Sequence, residues 1–167
     1  MSGRDKVLRR FILVFLLFFA PWIPFTAQNN FGSEDELKKQ AGKFFENEEY
    51  VAATPLYSQL VSVYPKDPTY NYRLGVCMLY SGGDREKPIP YLEFASQKKD
   101  VDKEVFFYLG RAYHLNYRFD NAINAYNTFK KVGSRSQVQK LEVDRQIEMC
   151  KKRKDFTEKH HRPGCAG

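Results

Sequence analysis

The sequence predicts an all-α domain of three stacked helical hairpins followed by a carboxy-terminal capping helix. The first observation is a repeat. Leu74-Gly75-x-x-Met78 and Leu109-Gly110-x-x-Tyr113 lie 35 residues apart, and a weaker copy, Gln40-Ala41-x-x-Phe44, begins 34 residues before them. The second is that each copy has a matching partner further on: Ala53-x-x-x-Tyr57, Pro88-x-x-x-Leu92 and Ala122-x-x-x-Tyr126. Such a period, with a small residue three before a large one, marks helical hairpins stacked in an array. The small residues let paired helices approach, and the large ones fill the space around them. One hairpin cannot bury its apolar face alone, and three are about the minimum that can.

The elements follow in order. After a polar linker over residues 28–33, Glu34-Asp35-Glu36 opens a helix that Ser33 can cap, since acidic residues favour the positive end of the helix dipole. Leu37, Ala41, Phe44 and Phe45 recur at helical spacing until Asn47-Glu48-Glu49 breaks the pattern. Tyr50, Ala53, Leu56, Tyr57, Leu60 and Val61 form the returning helix, which Pro65 ends. The second unit starts at Pro68, carries Tyr72, Leu74, Gly75, Met78 and Leu79, and turns at Ser81-Gly82-Gly83-Asp84. Pro88 and Pro90 sit in the first turn of its returning helix, where proline is tolerated, ahead of Tyr91, Leu92, Phe94 and Ala95. The third unit is the best formed, with Phe106, Leu109, Gly110 and Tyr113, a turn at Asn116, then Phe119, Ala122, Ala125, Tyr126 and Phe129 before Gly133-Ser134. The repeats thus cover about residues 34–67, 68–102 and 103–136. A last helix over residues 137–150 places Val138, Leu141 and Ile147 on one side and charges on the other, as a terminal cap should. Residues 151–167 are poor in apolar side chains and read as a disordered basic tail.

The chain has 167 residues, a length that suits one domain. Near the amino end, Arg4, Lys6, Arg9 and Arg10 outweigh Asp5, an apolar run fills residues 11–20, and Ala27 follows two prolines. A basic stretch, a short greasy run and a small residue near its end form a secretory signal peptide over residues 1–27. The apolar run is shorter than the ~20 residues a membrane-spanning helix needs. An uncleaved signal anchor is the alternative, and would leave the protein tethered to the inner membrane. The net charge of +7 divides into +3 from the amino end and +4 from the tail, leaving the repeats close to neutral. A nucleic-acid binder carries its positive field on the folded body, so nucleic acid is not the expected partner. Cys77, Cys150 and Cys165 form no metal or redox motif. Cys77 reads as a buried small hydrophobe, while Cys150 and Cys165 fall in sequence that reads as less ordered.

On Leu74-Gly75, Leu109-Gly110, Ala41 and their partners, residues 34–136 and the cap resemble the tetratricopeptide repeat family. Gln40 stands where that pattern has leucine, Pro88 stands where it has alanine, and no proline closes the second and third units. The resemblance implies a right-handed superhelix whose first helices line a concave groove for a protein or peptide. Mapped onto this chain, the groove residues are Lys38, Gly42 and Phe45 from unit one, and Tyr72, Arg73, Val76 and Tyr80 from unit two. Unit three adds Phe107, Tyr108, Arg111 and His114. Aromatic rings mixed with cations are enriched at binding hot spots, although Tyr72 and Phe107 could equally pack between hairpins. Arg73 and Arg111 would meet carboxylates of an extended peptide or a helix. More narrowly, residues 84–95 look like the amino-terminal module of Bacteroidota envelope proteins, some linked to type IX secretion, that end in an OmpA-like domain. That resemblance implies export to the periplasm or outer membrane. It leaves open that the chain is one part of a longer protein, and peptidoglycan binding does not carry over because the residues for it are missing.

Chemistry finds little support. His160-His161 with Cys165 lacks a scaffold to hold a metal. His114 has no carboxylate placed by helical spacing to make it a general base. No Gly-rich phosphate loop or nucleophile elbow is present. The expectation is a non-enzymatic protein without cofactor, metal or small-molecule substrate. The run Lys151-Lys152-Arg153-Lys154 reads first as a solvated helix end and second as a contact for anionic lipid or polyanion.

Overall fold

A computed structural model describes residues 33–160. The expected signal peptide, His161 and Cys165 lie outside them. The described residues form eight helices and no strand. These are α1 (Glu34–Glu46), α2 (Tyr50–Val63), α3 (Pro68–Tyr80), α4 (Pro88–Ser96), α5 (Val105–Leu115), α6 (Phe119–Val132), α7 (Arg135–Lys140) and α8 (Val143–His160). The first six pair as hairpins α1–α2, α3–α4 and α5–α6; α2 packs on α3, α4 on α5, and α8 on α6.

The glycines of the repeat sit where paired helices touch. A Cβ on Gly75 would lie 2.6 Å from Leu92 Cγ, and one on Gly110 would lie 2.7 Å from Tyr126 Cδ1. No side chain larger than hydrogen fits without moving those groups. Ala41, Ala53 and Ala122 are fully buried at the corresponding contacts.

The hairpin turns also repeat. Glu48, Gly82 and Tyr117, each the residue just past a helix cap, all have positive φ, at +60°, +81° and +58°, and are spaced 34 and 35 residues apart. In the first and third hairpins the backbone is the same. Glu49 and Glu48 donate their N–H groups to the carbonyls of Phe44 and Phe45, as Arg118 and Tyr117 do to Tyr113 and His114. This is the Schellman closure of a helix, which places one left-handed residue just past the cap. Glycine supplies it freely in the middle hairpin, whereas Glu48 and Tyr117 adopt it against the preference of L-residues.

The starts of α3 and α7 are set by side chains. Asp67 accepts the Tyr70 N–H at 2.8 Å ahead of Pro68, and Ser134 with Gln137 forms a reciprocal capping box for α7. Ser33 stands at the start of α1, but its hydroxyl makes no capping bond; its carbonyl accepts from Glu36 and Leu37 instead.

Two clusters form the core. One joins α1, α2 and α3 through Leu37, Leu56, Tyr57, Leu60 and Leu74; the other runs from α3 to α8. Phe45 and Tyr50 touch both, so the hairpins share one continuous apolar interior.

The carboxy-terminal part departs from expectation in two ways. The cap is two helices, α7 and α8, broken at Glu142 with φ +48°. And α8 runs ten residues past Cys150, through a stretch expected to be disordered. Lys151 pairs with Glu148 and Lys154 with Glu158 along the helix, and Lys154 reaches Asp120 on α6 at 2.6 Å. Good helix formers with spaced charges extend a helix whose first half is already anchored by buried Val143, Ile147 and Cys150. Cys150 is therefore a core residue. No described helix is long and apolar enough to cross a membrane.

Candidate partner-binding groove

The first helices of the three hairpins, α1, α3 and α5, are joined along one face by rings. Phe45 on α1 lies 6.4 Å from Tyr72 on α3, and Tyr72 lies 6.0 Å from Tyr108 on α5, measured between ring centres. Tyr80, at the end of α3, meets Tyr108 edge-on at 6.3 Å. Behind this seam stand rings from the second helices. Tyr50 stacks on Tyr80 at 4.7 Å, and Phe107 packs against Tyr126 and Phe129. Helical spacing alone cannot place a ring on the seam or above it, because both kinds recur every three or four residues.

Each expected groove residue now has a place. Tyr72, Val76 and Phe107 are buried, at 5%, 0% and 3% exposure, and belong to the core between hairpins instead of the groove. Neighbouring helices close over them, and burial pushes the Tyr72 hydroxyl far above its ordinary range. Gly42 is buried too, beneath the Arg73 guanidinium. Lys38 is exposed on α1, and Phe45, Arg73, Tyr108, Arg111 and His114 are half-buried. Tyr80 is 39% exposed, which leaves part of a large ring available on this face.

The two arginines have different roles. Arg73 lies over Phe45 at 5.1 Å and over Tyr57 at 5.9 Å, and donates from Nη1 to the Tyr57 hydroxyl at 2.8 Å. Its guanidinium is thus largely spent inside the first two hairpins. Arg111 instead sits over the Tyr80 ring at 5.1 Å, and among the described residues it has no ion-pair partner. Tyr80, Tyr108 and Arg111 make a compact patch of two rings and one cation, the composition suited to a protein contact.

Beyond the patch, Arg111 and His114 line a cleft of about 370 Å³ with Arg85 from the turn before α4 and Gln146, Met149 and Arg153 from α8. Burial, then Arg153 and Arg111, hold the His114 imidazole below its ordinary pKa. A neutral imidazole beside cations, with no carboxylate among the cleft residues, has nothing to orient it as a general base. Among the described residues, no three His, Cys, Asp or Glu side chains gather as metal ligands. The sequence reading missed Tyr50, Arg85 and Arg153. Tyr50 belongs to a second helix, and the arginines come from a turn and from the helix taken for a tail.

No protein-family model matches the chain, and neither does any curated protein. Among solved structures it is similar to the Sgt2 TPR domain from Aspergillus fumigatus, at 22% identity and a TM-score of 0.57. The match covers 80% of this chain and 86% of that one. At that identity the likeness is one of fold: the described chain is an all-helical array of hairpins built like a tetratricopeptide repeat domain.

Proposed function

We propose that this protein is an exported scaffold that holds a segment of an envelope protein against the face of α1, α3 and α5. The observation that carries the reading is the partly exposed patch of Tyr80, Tyr108 and Arg111, held in place by ring contacts from behind. The fold adds support, since helical repeat arrays offer extended surfaces for partners. Arg111 would meet an acidic group of the partner while the two tyrosines take its apolar side chains. Arg73 contributes to this face indirectly, by fixing Phe45 and α1.

Export rests on the basic and apolar pattern of residues 1–27, and an envelope setting on the likeness of residues 84–95 to the repeat module of OmpA-type proteins. In that setting the repeats would act as an adaptor or as a spacer within a larger envelope assembly.

The test is crosslinking and capture from the envelope of the native host, using the full chain. Recovery of one specific partner, lost in a Tyr80→Ala, Arg111→Ala variant that still folds, is the expected result. Equal recovery with that variant would remove this face from consideration.

A further inference from the structure

Arg85, Arg111 and Arg153 reach one cleft from three separate parts of the chain: the turn between α3 and α4, α5, and α8. Cations gathered at one cleft raise its positive potential and favour an anion there. Elsewhere the fold balances neighbouring charges. Arg118 pairs with Glu86 at 3.0 Å and Lys154 with Asp120 at 2.6 Å, one residue away from Arg85 and Arg153 respectively. Among the described residues no carboxylate lies within ion-pair distance of Arg85, Arg111 or Arg153. Asp84 lines the adjoining depression beside Arg85 and Arg111, makes no ion pair with either, and accepts the Glu86 N–H at 2.9 Å.

We propose that this cleft binds a doubly charged phosphoryl group through the guanidinium groups of Arg85, Arg111 and Arg153, with the Gln146 amide as a further donor.

The chemistry favours a dianion over a carboxylate. A carboxylate brings one charge and two oxygens, which one guanidinium satisfies in a bidentate pair. Three guanidinium groups around a common space suit a tetrahedral group with two charges and three terminal oxygens, each met from a different side. Arg111 is positioned for this by its contact with the Tyr80 ring, so its ordering cost is met before the ligand arrives. A volume of about 370 Å³ leaves space for the phosphoryl group and the atoms that carry it. A second depression shares Arg85, Arg111 and Leu115 and extends the cleft toward Gly82 and Gly83. The site shares Arg111 with the partner-binding patch but does not depend on that reading, because it needs no peptide and a free anion tests it.

His114 supplies the readout. It lines the cleft, and Arg153 and Arg111 add to burial in holding it neutral, so a bound dianion should raise its pKa. The experiment follows the His114 imidazole signals of the full chain by NMR, assigned with His114→Gln, during addition of inorganic phosphate, sulfate or acetate at matched ionic strength. The expected result is a saturating shift in the millimolar range with phosphate and sulfate, accompanied by a higher His114 pKa. Acetate should bind at least about tenfold more weakly, and Arg85→Gln, Arg153→Gln, which removes two guanidinium contacts, should lower phosphate affinity by about tenfold or more, each charge-assisted contact being worth roughly that much. Both arginines are exposed, so this variant keeps the fold. Acetate binding as tightly as phosphate would overturn the dianion assignment. Non-saturating shifts equal to those of sodium chloride, or unchanged affinity in the double variant, would overturn the site.

Discussion

Arg73 donates a 2.8 Å hydrogen bond to the hydroxyl of Tyr57, tying the first helix of the second hairpin to the second helix of the first. The same guanidinium lies over Phe45, so one side chain joins α1, α2 and α3. A charged donor on a buried hydroxyl contributes about 1.5–3 kcal/mol, and the ring contact adds about 0.5–1 kcal/mol. Arg73→Ala is therefore expected to destabilise the fold by roughly 2–4 kcal/mol in urea unfolding. Tyr57→Phe, which keeps the ring but loses this bond, should cost about 1.5–3 kcal/mol. A double-mutant cycle checks the link directly: additive losses would mean that the two side chains do not act together.

Packing at the repeat glycines gives a sharper contrast. Gly75→Ala and Gly110→Ala drive a methyl to within 2.6–2.7 Å of Leu92 and Tyr126. Overpacking of this kind costs typically 1–3 kcal/mol, less the ~1 kcal/mol that alanine gains over glycine inside a helix. At Gly42 the nearest atom is the end of the Arg73 side chain at 3.6 Å, an ordinary contact. Gly42→Ala should therefore be neutral or stabilising by up to about 1 kcal/mol. Thermal unfolding of the three variants should separate Gly42 from the other two; equal losses at all three would refute the close-approach role of Gly75 and Gly110.

These contrasts show which features a linear reading can reach. Gly110 and Tyr126 are legible because a residue of minimal volume must face a residue of large volume at a fixed helical spacing. The left-handed turns recur with the same period, but only the Gly82 copy advertises itself by residue type. Tyr72 and Phe107 were ambiguous for a physical reason. A ring on the first helix of a hairpin fills the seam or lines the surface depending on how far the neighbouring hairpin rotates, which no local pattern records. The capping box at Ser134 and Gln137 was present as a Ser-x-x-Gln pattern and marks the start of α7. The run of α8 to His160 was hidden because its last turns are held by charge and helix propensity, with little apolar periodicity to reveal them. Convergence of Arg85, Arg111 and Arg153 is purely tertiary, since 68 residues separate the first from the last.

Cysteine accessibility follows from the same packing. Cys77 and Cys150 are free and fully buried, and burial pushes their thiols up to about 12 and about 11. The thiolate is the reactive form, so neither should react in the folded protein near neutral pH. Peptide mapping after brief iodoacetamide treatment should find both unmodified in buffer, with labelling that rises along the urea unfolding curve. Cys150 labelled in the absence of denaturant, with Cys77 protected, would mean that α8 detaches from α6 while the hairpins persist.

The pH dependence of stability carries a definite sign at His114. Burial, Arg153 and Arg111 lower its folded pKa, whereas the unfolded chain has an ordinary imidazole near 6.5. Between those two values the unfolded state binds more protons than the folded one, so protonation favours unfolding there. The stability that the neutral imidazole permits is complete above about pH 6.5, declines as pH falls below it, and stops changing once pH has passed the folded pKa. His114→Gln removes this dependence while leaving the other groups in place. In chloride buffers, the wild-type urea midpoint should fall relative to that of His114→Gln as pH drops from about 8 to about 5. The gap should narrow in sulfate at the same ionic strength, because an anion among Arg85, Arg111 and Arg153 removes part of the repulsion that keeps His114 neutral. Parallel pH profiles for the two proteins in chloride would show that His114 titrates as it does in the unfolded chain.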